Sequence, residues 1–352
     1  MSGTSLDGID VAIVDIGPRY KLKVLAFSTT PYPKAVRNTL LAVSNANCHT
    51  ADIARLHFLL PELYAEAFNA LCKQARVPIK TVSLIGCHGQ TIFHEGDPVR
   101  FVGRSVASTL QIGNGAILAA RTGIPTVTDF RSAHIAVGGK GAPLVPHLDH
   151  LLFRHPRRTR VSLNIGGVAN ITAIPSGIAF DTGPGNMVMD NLVRHFTNGR
   201  QTFDRDGGLA ARGHIQHRLL NLLLRDPYYR RQPPKTAGRE QYGQEFLTPF
   251  LSLSCEDAVA TATALTVATI VKGIRLTGVE PQDLIVGGGG AQNPQLMGLL
   301  AAQLPNTRVL LTNDFGIDSD AKEAVAFAVL AYECVHLRPA LGAVLGAIYP
   351  PN

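Results

Sequence analysis

Asp181 closes an apolar run and faces a glycine turn in "IAFDTGPGNMVMDNL". Asn186 follows, and then a helical stretch that carries Asp190. A carboxylate on a firm turn, beside the amides of a helix N-terminus, is well placed as a general base. An aspartate that only caps the turn has the same sequence. Two further turns have the composition of anion cradles. One is "GTSLDG" (Gly3, Thr4, Ser5, Leu6, Asp7, Gly8) and the other is "NIGGVAN", with Gly166, Gly167 and Asn170. Phosphates are held by backbone N–H groups, hydroxyls and helix N-termini, and glycine lets the backbone come close. Taken alone, each is also what a plain hairpin turn looks like. A third stretch, "GGGG" at 287–290, follows an apolar strand. A flat base or ribose could lie against Gly288, Gly289 and Gly290, or the glycines could simply turn strand into helix.

Other polar residues end strands. "CHGQT" holds His88 and Thr91, and "TDFR" holds Asp129 and Arg131. Arg131 could clamp a carboxylate or a phosphate. His88 reads as a hydrogen-bonded structural histidine rather than a catalytic one. Glu323, at the start of a helix, is either a helix-dipole residue or a second carboxylate of the site. "HLDH" (His147, His150) has metal-like spacing but no third ligand. The phosphate-loop pattern G-x-x-x-x-G-K-[ST] is absent, since Lys140 is followed by Gly141, and G-x-G-x-x-G fails at Asn293.

These residues need elements to place them. The 352 residues, 45% hydrophobic and 17% charged, fit a globular chain of two domains. No apolar run reaches the roughly 18 residues that span a membrane, and no basic region with an apolar stretch opens the chain as a secretory signal. The five cysteines are scattered, which suits a reduced compartment with buried thiols. The formal charge of +7 comes partly from "RHPRRTR" and "RDPYYRRQPPK". Both read as solvated loops, and no nucleic-acid partner is expected, because no aromatic platform or reader motif accompanies them. "IDVAIVDI" and "YKLKVLAFSTTPY" read as strands, and 35–76 as helical, with Thr50 as N-cap and a kink or break at Pro61. "VSLIGCHGQT" reads as a short buried strand, and 244–277 as helical. "SDAKEAVAFAVLAYECV" reads as a helix capped by Ser319 or Asp320. The device of a small-residue turn feeding an apolar strand occurs twice, in "SGTSLDGIDVAIVD" and "LNIGGVANITAI", which suggests a duplicated plan. Strands alternating with helices imply α/β sheets, with ligands beyond the carboxyl ends of the strands.

In order, "MSGTSLDGID", "CHGQT", "TDFR", "GGKGAPLVP", "LNIGGVANIT", "FDTGPGN", "PPKTAGRE", "VGGGGAQNPQLM" and "DAKEAVAFAVLA" run from residue 1 to about 335. Together they resemble the anhydro-N-acetylmuramic acid kinase family, of the superfamily of sugar kinases, Hsp70 and actin. The resemblance implies a two-domain actin-like ATPase (ribonuclease H-like) α/β fold with a duplicated core and an interdomain cleft. The domains are expected at 1–133 and 134–335, with the tail 336–352 packing back on the first. It implies that ATP and water convert 1,6-anhydro-N-acetylmuramic acid to N-acetylmuramic acid 6-phosphate and ADP, in cytoplasmic recycling of the bacterial cell wall. Asp181 would take the proton of the attacking water. Gly3, Thr4, Ser5, Leu6, Asp7 and Gly8 would hold phosphates, with Asp7 facing Mg²⁺. Gly166, Gly167 and Asn170 would form the opposing phosphate turn, and Gly288, Gly289 and Gly290 the nucleoside seat. Thr91, Asp129, Arg131, Gly183, Asn186 and Glu323 fall to the sugar. A homodimer is the family's habit. A degenerate ATP-binding module of the same fold, or a kinase of open amino sugars, are the alternatives. The resemblance also puts a short strand ahead of "MSGTSLDG", where Met1 stands, so a truncated start and exposed apolar sheet edges are expected. The tail "HLRPALGAVLGAIYPPN" is shorter than the family's.

Overall fold

The computed structural model describes residues 1, 2, 6, 8–44 and 46–351. The chain divides into two units, Met1–Leu148 with Ala321–Asn352, and Asp149–Asp320. The strands of unit 1 are β1 (Gly8–Ile16), β2 (Leu22–Pro31), β3 (Ile85–Gly86), β4 (Gln90–Phe101), β5 (Arg104–Ile112) and β6 (Thr126–Thr128). Unit 2 has β7 (Arg160–Ile165), β8 (Val168–Ala173), β9 (Ile178–Pro184), β10 (Asp283–Gly287) and β11 (Arg308–Leu311), and β12 (Ala347–Tyr349) returns to unit 1.

In unit 2 the sheet order is β11-β10-β7-β8-β9. The first three strands in sequence, β7, β8 and β9, form an antiparallel meander, and β10 and β11 then add in parallel beside β7. This is the ribonuclease H-like order. It reflects sequence in two ways. Turns of two to four residues join the meander, while β10 and β11 are each reached through a helix. The Cys255–Leu276 helix packs on β8 and β9. Ser254 caps it, its hydroxyl accepting the Asp257 N–H at 3.1 Å. That helix is long and apolar enough to cross a membrane, yet most of it is buried in the core. Leu163, Ile165, Ile171, Leu265, Ile270, Leu284 and Val286 meet there, each almost wholly buried and each contributing about 1.5–3 kcal/mol.

The amino ends of the central strands are tied by charge. Asp283, fully buried, accepts from Arg158 Nη2 at 2.7 Å, Arg160 Nε at 3.0 Å and Arg308 Nε at 3.0 Å. Burial pushes this carboxyl up, but the three guanidinia overrule it and hold it far below the usual carboxylate range. The run "RHPRRTR" is therefore not only solvated loop, because two of its arginines are committed to Asp283.

Unit 1 is arranged differently. β1 and β2 form an antiparallel hairpin. β3 pairs in parallel with β6, and β12 pairs antiparallel with the other side of β6. β1 and β3 do not pair. Between them lies a cavity of about 690 Å³, walled by Ile9–Ile16, by Ser83–Cys87 and by the helices Thr50–Ala75 and Lys322–Val335. Met1 lines this gap and exchanges two backbone bonds with Asp10, at 2.7 and 2.8 Å. β4 and β5 form a separate two-stranded ribbon.

The domain boundaries move from those expected. The first falls at 148/149 rather than 133/134, and the Lys322–Val335 helix belongs to unit 1. The reason is packing: Phe327, Leu330, Ala331 and Cys334 of that helix join Val127, Phe130, Leu144 and Leu345 in one cluster. The tail does pack back, as β12. The region 35–76 is two helices, Lys34–Val43 and Thr50–Ala75. Thr50 is the first helical residue and His49 the cap, without a side-chain bond. Pro61 neither splits nor ends the second helix, whose long apolar face is held by Leu56, Leu60, Tyr64, Phe68 and Leu71. The Lys322–Val335 helix starts after Ala321, and neither Ser319 nor Asp320 caps it. All five cysteines are free thiols.

Candidate active site

Asp181 lies on β9 directly opposite Asn170 on β8, and Asn170 lies opposite Asn164 on β7. Residues opposed across a sheet share a face, so three polar side chains form a row across one face of the sheet. All three are half-buried. One carboxylate oxygen of Asp181 accepts the Ala237 N–H at 2.9 Å. Burial pushes the Asp181 carboxyl up from its ordinary value, and the Ala237 bond opposes that rise. The group is thus a stronger base than a solvated aspartate, with one oxygen fixed and the other available.

Two loops meet beside this row. Asn186 N–H donates to Gly166 O at 2.7 Å, and Gly185 and Met187 N–H donate to Gly167 O at 2.9 and 3.2 Å. A Cβ on Gly185 would collide with the Gly166 carbonyl, so only glycine permits the contact. Asn186 Nδ2 reaches Ile165 O at 3.3 Å. The third glycine stretch joins from β10. Gly287 is paired with Asn164. Gly288 takes φ +83°, and a Cβ there would come within 2.6 Å of Ile165 O and 2.8 Å of Asn164 Oδ1. Gly289 is exposed, with nearly open space where a Cβ would be. The carboxyl ends of β7, β9 and β10 therefore carry one continuous floor of glycine backbone and side-chain amides. These groups are neutral donors and carriers of small partial charges, which suits a polyanion. Gly183 is buried against Thr269 and Tyr229 rather than lining open space. Asp190 lies just beyond, its carboxyl pushed up to about 6 by burial, with Arg194 lowering it and Asp204 adding to the rise.

Unit 1 holds the remaining residues. Gly3, Thr4, Ser5 and Asp7 lie outside the described residues. Leu6 is buried and its carbonyl accepts Arg37 Nε at 2.9 Å, and Gly8 opens β1. Thr91, on β4, accepts from Gln111 Nε2 at 3.2 Å. Asp129 takes the left-handed φ of 55° and accepts the Ser132 hydroxyl at 2.6 Å. Arg131 donates to His88 Nε2 at 3.0 Å and to Gly141 O at 2.8 Å. Burial brings its pKa down to about 10, with Glu323 opposing. His88 is buried, its Nδ1 2.9 Å from Gly89 O, as befits a structural histidine. Burial, then Arg131, holds its pKa well below the usual value. Glu323 is reached by solvent but crowded by protein, and its carboxyl is raised by desolvation first and Asp10 second, with Arg131 opposing. Among the described residues no group of three or more His, Cys, Asp or Glu is placed to hold a metal.

The whole chain matches one family model, anhydro-N-acetylmuramic acid kinase, over residues 1–350. The chain belongs to this family. Curated anhydro-N-acetylmuramic acid kinases are similar along nearly their full length. The protein of Caldanaerobacter subterraneus subsp. tengcongensis is 43% identical, over 96% of this chain and 90% of its own. That of Salinibacter ruber is 42% identical, over 99% and 92%. A Bacillus cereus kinase is 38% identical, over 100% and 98%. For an anhydro-N-acetylmuramic acid kinase, the row Asn164–Asn170–Asp181 adds one residue that sequence reasoning passed over. Asn164 sits inside the apolar run "VSLNI", and only the register of β7 with β8 brings it into line. Ala237 was also missed. "PPKTAGRE" carried the resemblance, but nothing in it signals an amide aimed at Asp181.

Proposed function

We propose that this chain uses ATP and water to convert 1,6-anhydro-N-acetylmuramic acid into N-acetylmuramic acid 6-phosphate and ADP. The observation that carries the reading is Asp181: a half-buried, raised carboxylate, fixed by Ala237 N–H, beside a floor built from three glycine turns. Asp181 takes a proton from water as the water oxygen bonds to C1. The C1–O6 bond breaks, and the O6 electron pair bonds to the γ-phosphorus, so that the β–γ bridging oxygen leaves with ADP. A glycosidase needs a second carboxylic acid to protonate the leaving oxygen, and here the phosphoryl group takes that place. The rest is alignment and stabilisation of charge. Gly166, Gly167 and Asn170 would face the phosphates, with Gly288–Gly290 against the nucleoside. Mg²⁺, which neutralises phosphate charge when bound, would meet Asp7. Thr91, Asp129, Arg131 and Glu323 are assigned to the sugar. Arg131 has donors beyond its bonds to His88 and Gly141, which suits the lactyl carboxylate. Cytoplasmic recycling of cell-wall sugar is the setting that fits the substrate.

The test is ADP release by the purified chain with ATP, Mg²⁺ and the anhydro sugar, beside Asp181→Asn. The expected result is sugar-dependent turnover that falls about 10²–10⁴-fold in the variant. Turnover on open N-acetylmuramic acid alone would point to a plain sugar kinase. ATP binding without turnover on either sugar would point to a degenerate module.

A further inference from the structure

β9 is the edge strand of its sheet, and its outer side is covered by the segment 227–237. The cover is centred on Asp181. Lys235 O accepts the Asp181 N–H at 3.3 Å, the Tyr228 hydroxyl donates to Asp181 O at 2.7 Å, and Ala237 N–H binds the carboxylate. Both backbone groups of Asp181 and one side-chain oxygen are therefore taken by a single loop. The loop is closed on itself by Lys235. This residue is buried, yet its ammonium donates to Tyr228 O at 3.0 Å and lies 4.6 Å from the Tyr228 ring centroid and 5.4 Å from that of Phe180. A buried lysine costs desolvation unless it is paired, and here a carbonyl and two ring faces pair it. Burial first, then Arg231 and Lys272, depress its pKa, so the contact is maintained against a real cost.

We infer that Tyr228 and Lys235 are positioning residues: Lys235 clamps the 228–235 loop shut, and the clamped loop aims the Asp181 carboxylate through the Ala237 N–H. This rests on Asp181 being the base. Neither residue touches a reacting atom. Loosening the clamp removes the Ala237 bond, which is the contact that holds the Asp181 pKa down against burial. The acid limb of the kcat profile then moves to higher pH, a change that a merely destabilised fold does not produce.

The experiment compares Tyr228→Phe, Lys235→Met and Asp181→Asn in the full chain. Tyr228→Phe removes one hydroxyl and keeps the ring, so it tests the idea even where Lys235→Met does not fold. Expected are a kcat lower by about 10–100-fold with KM for ATP unchanged, and an acid limb displaced upward. Expected too is an Ala237 amide that exchanges at least about tenfold faster. An unchanged pH profile and Ala237 exchange, with only a lowered melting temperature, overturns the positioning role. An active Asp181→Asn overturns the base reading instead, and the two failures are told apart by that variant.

Discussion

Four strands of unit 1 follow the order of four strands of unit 2, but among the described residues only unit 2 joins its strands into one sheet. In unit 2, β7 stands between β8 and β10 and bonds to both. In unit 1, β1 and β2 correspond to β8 and β9, and β3 and β6 to β10 and β11, and among the described residues no strand pairs between β1 and β3 as β7 does between β8 and β10. The difference shows how much of a sheet is held by its helices. The Thr50–Ala75 and Lys322–Val335 helices keep β1 and β3 in place across a cavity of about 690 Å³, with no ladder between them. Among the described residues, Met1 bonds to the facing edge of β1 at Asp10, and the apolar side chains along the cavity wall have partners on one side only.

The largest test of this contrast is truncation. Leu163→Ala in β7 is expected to cost about 3–5 kcal/mol, since Leu163 is fully buried between two ladders. Ile13→Ala, on the wall of the cavity, is expected to cost at most about 2 kcal/mol, because part of its contact is already missing. Native-state hydrogen exchange, with reporters in each unit, reads both costs without assuming a two-state transition. Equal losses would mean that the gap is closed in solution.

A smaller effect of opposite sign comes from filling. Ala328 lines the cavity on the Lys322–Val335 helix. Ala328→Leu is expected to stabilise unit 1 by about 0.5–2 kcal/mol. A loss of about 1–3 kcal/mol in the same exchange measurement would show that the wall has no room.

The smallest expected effect is a divergence with pH. His88 in unit 1 has a folded pKa well below the unfolded value of 6.5. The unfolded chain therefore binds the proton first, and unit 1 loses stability as pH falls below about 6.5. Asp190 in unit 2 has a folded pKa of about 6 against 3.8, so its folded form binds the proton first. Unit 2 gains from it as pH falls through 6. Between pH 7 and 5.5 the exchange stabilities of the two units should therefore move in opposite directions. His88→Gln should remove the loss in unit 1, and a slope that persists in that variant would assign it to another group.

Much of unit 2 was legible because its signals are local. "LNIGGVANIT" pairs β-branched runs with a glycine turn, and the structure places it as read. In "IAFDTGPGN" the strand does not stop before Asp181 but runs through it to Pro184, because its pairing with β8 continues to Val168. The β4–β5 ribbon was not foreseen. Its strands are joined at Val102–Gly103, both with positive φ, where Asn-Gly is the usual signal and valine hides it. The basic runs misled for a related reason. A run of arginines has no period, so sequence alone could not tell solvated Arg157 from Arg158 and Arg160, which reach 123–125 residues along the chain to Asp283. The same holds for "RDPYYRRQPPK", where Tyr228 and Lys235 serve Asp181. Long-range partners of this kind follow from register and topology, and neither is written in a ten-residue window. Ser319 and Asp320 looked like caps by type, but the helix takes its start from burial of Ala321 and Lys322.

The three backbone bonds between Gly166–Gly167 and Gly185–Met187 make the turn after β7 and the turn after β9 into one mechanical piece. A ligand that orders the first turn orders the loop after Asp181 in the same event, and the entropy of ordering is lost once rather than twice.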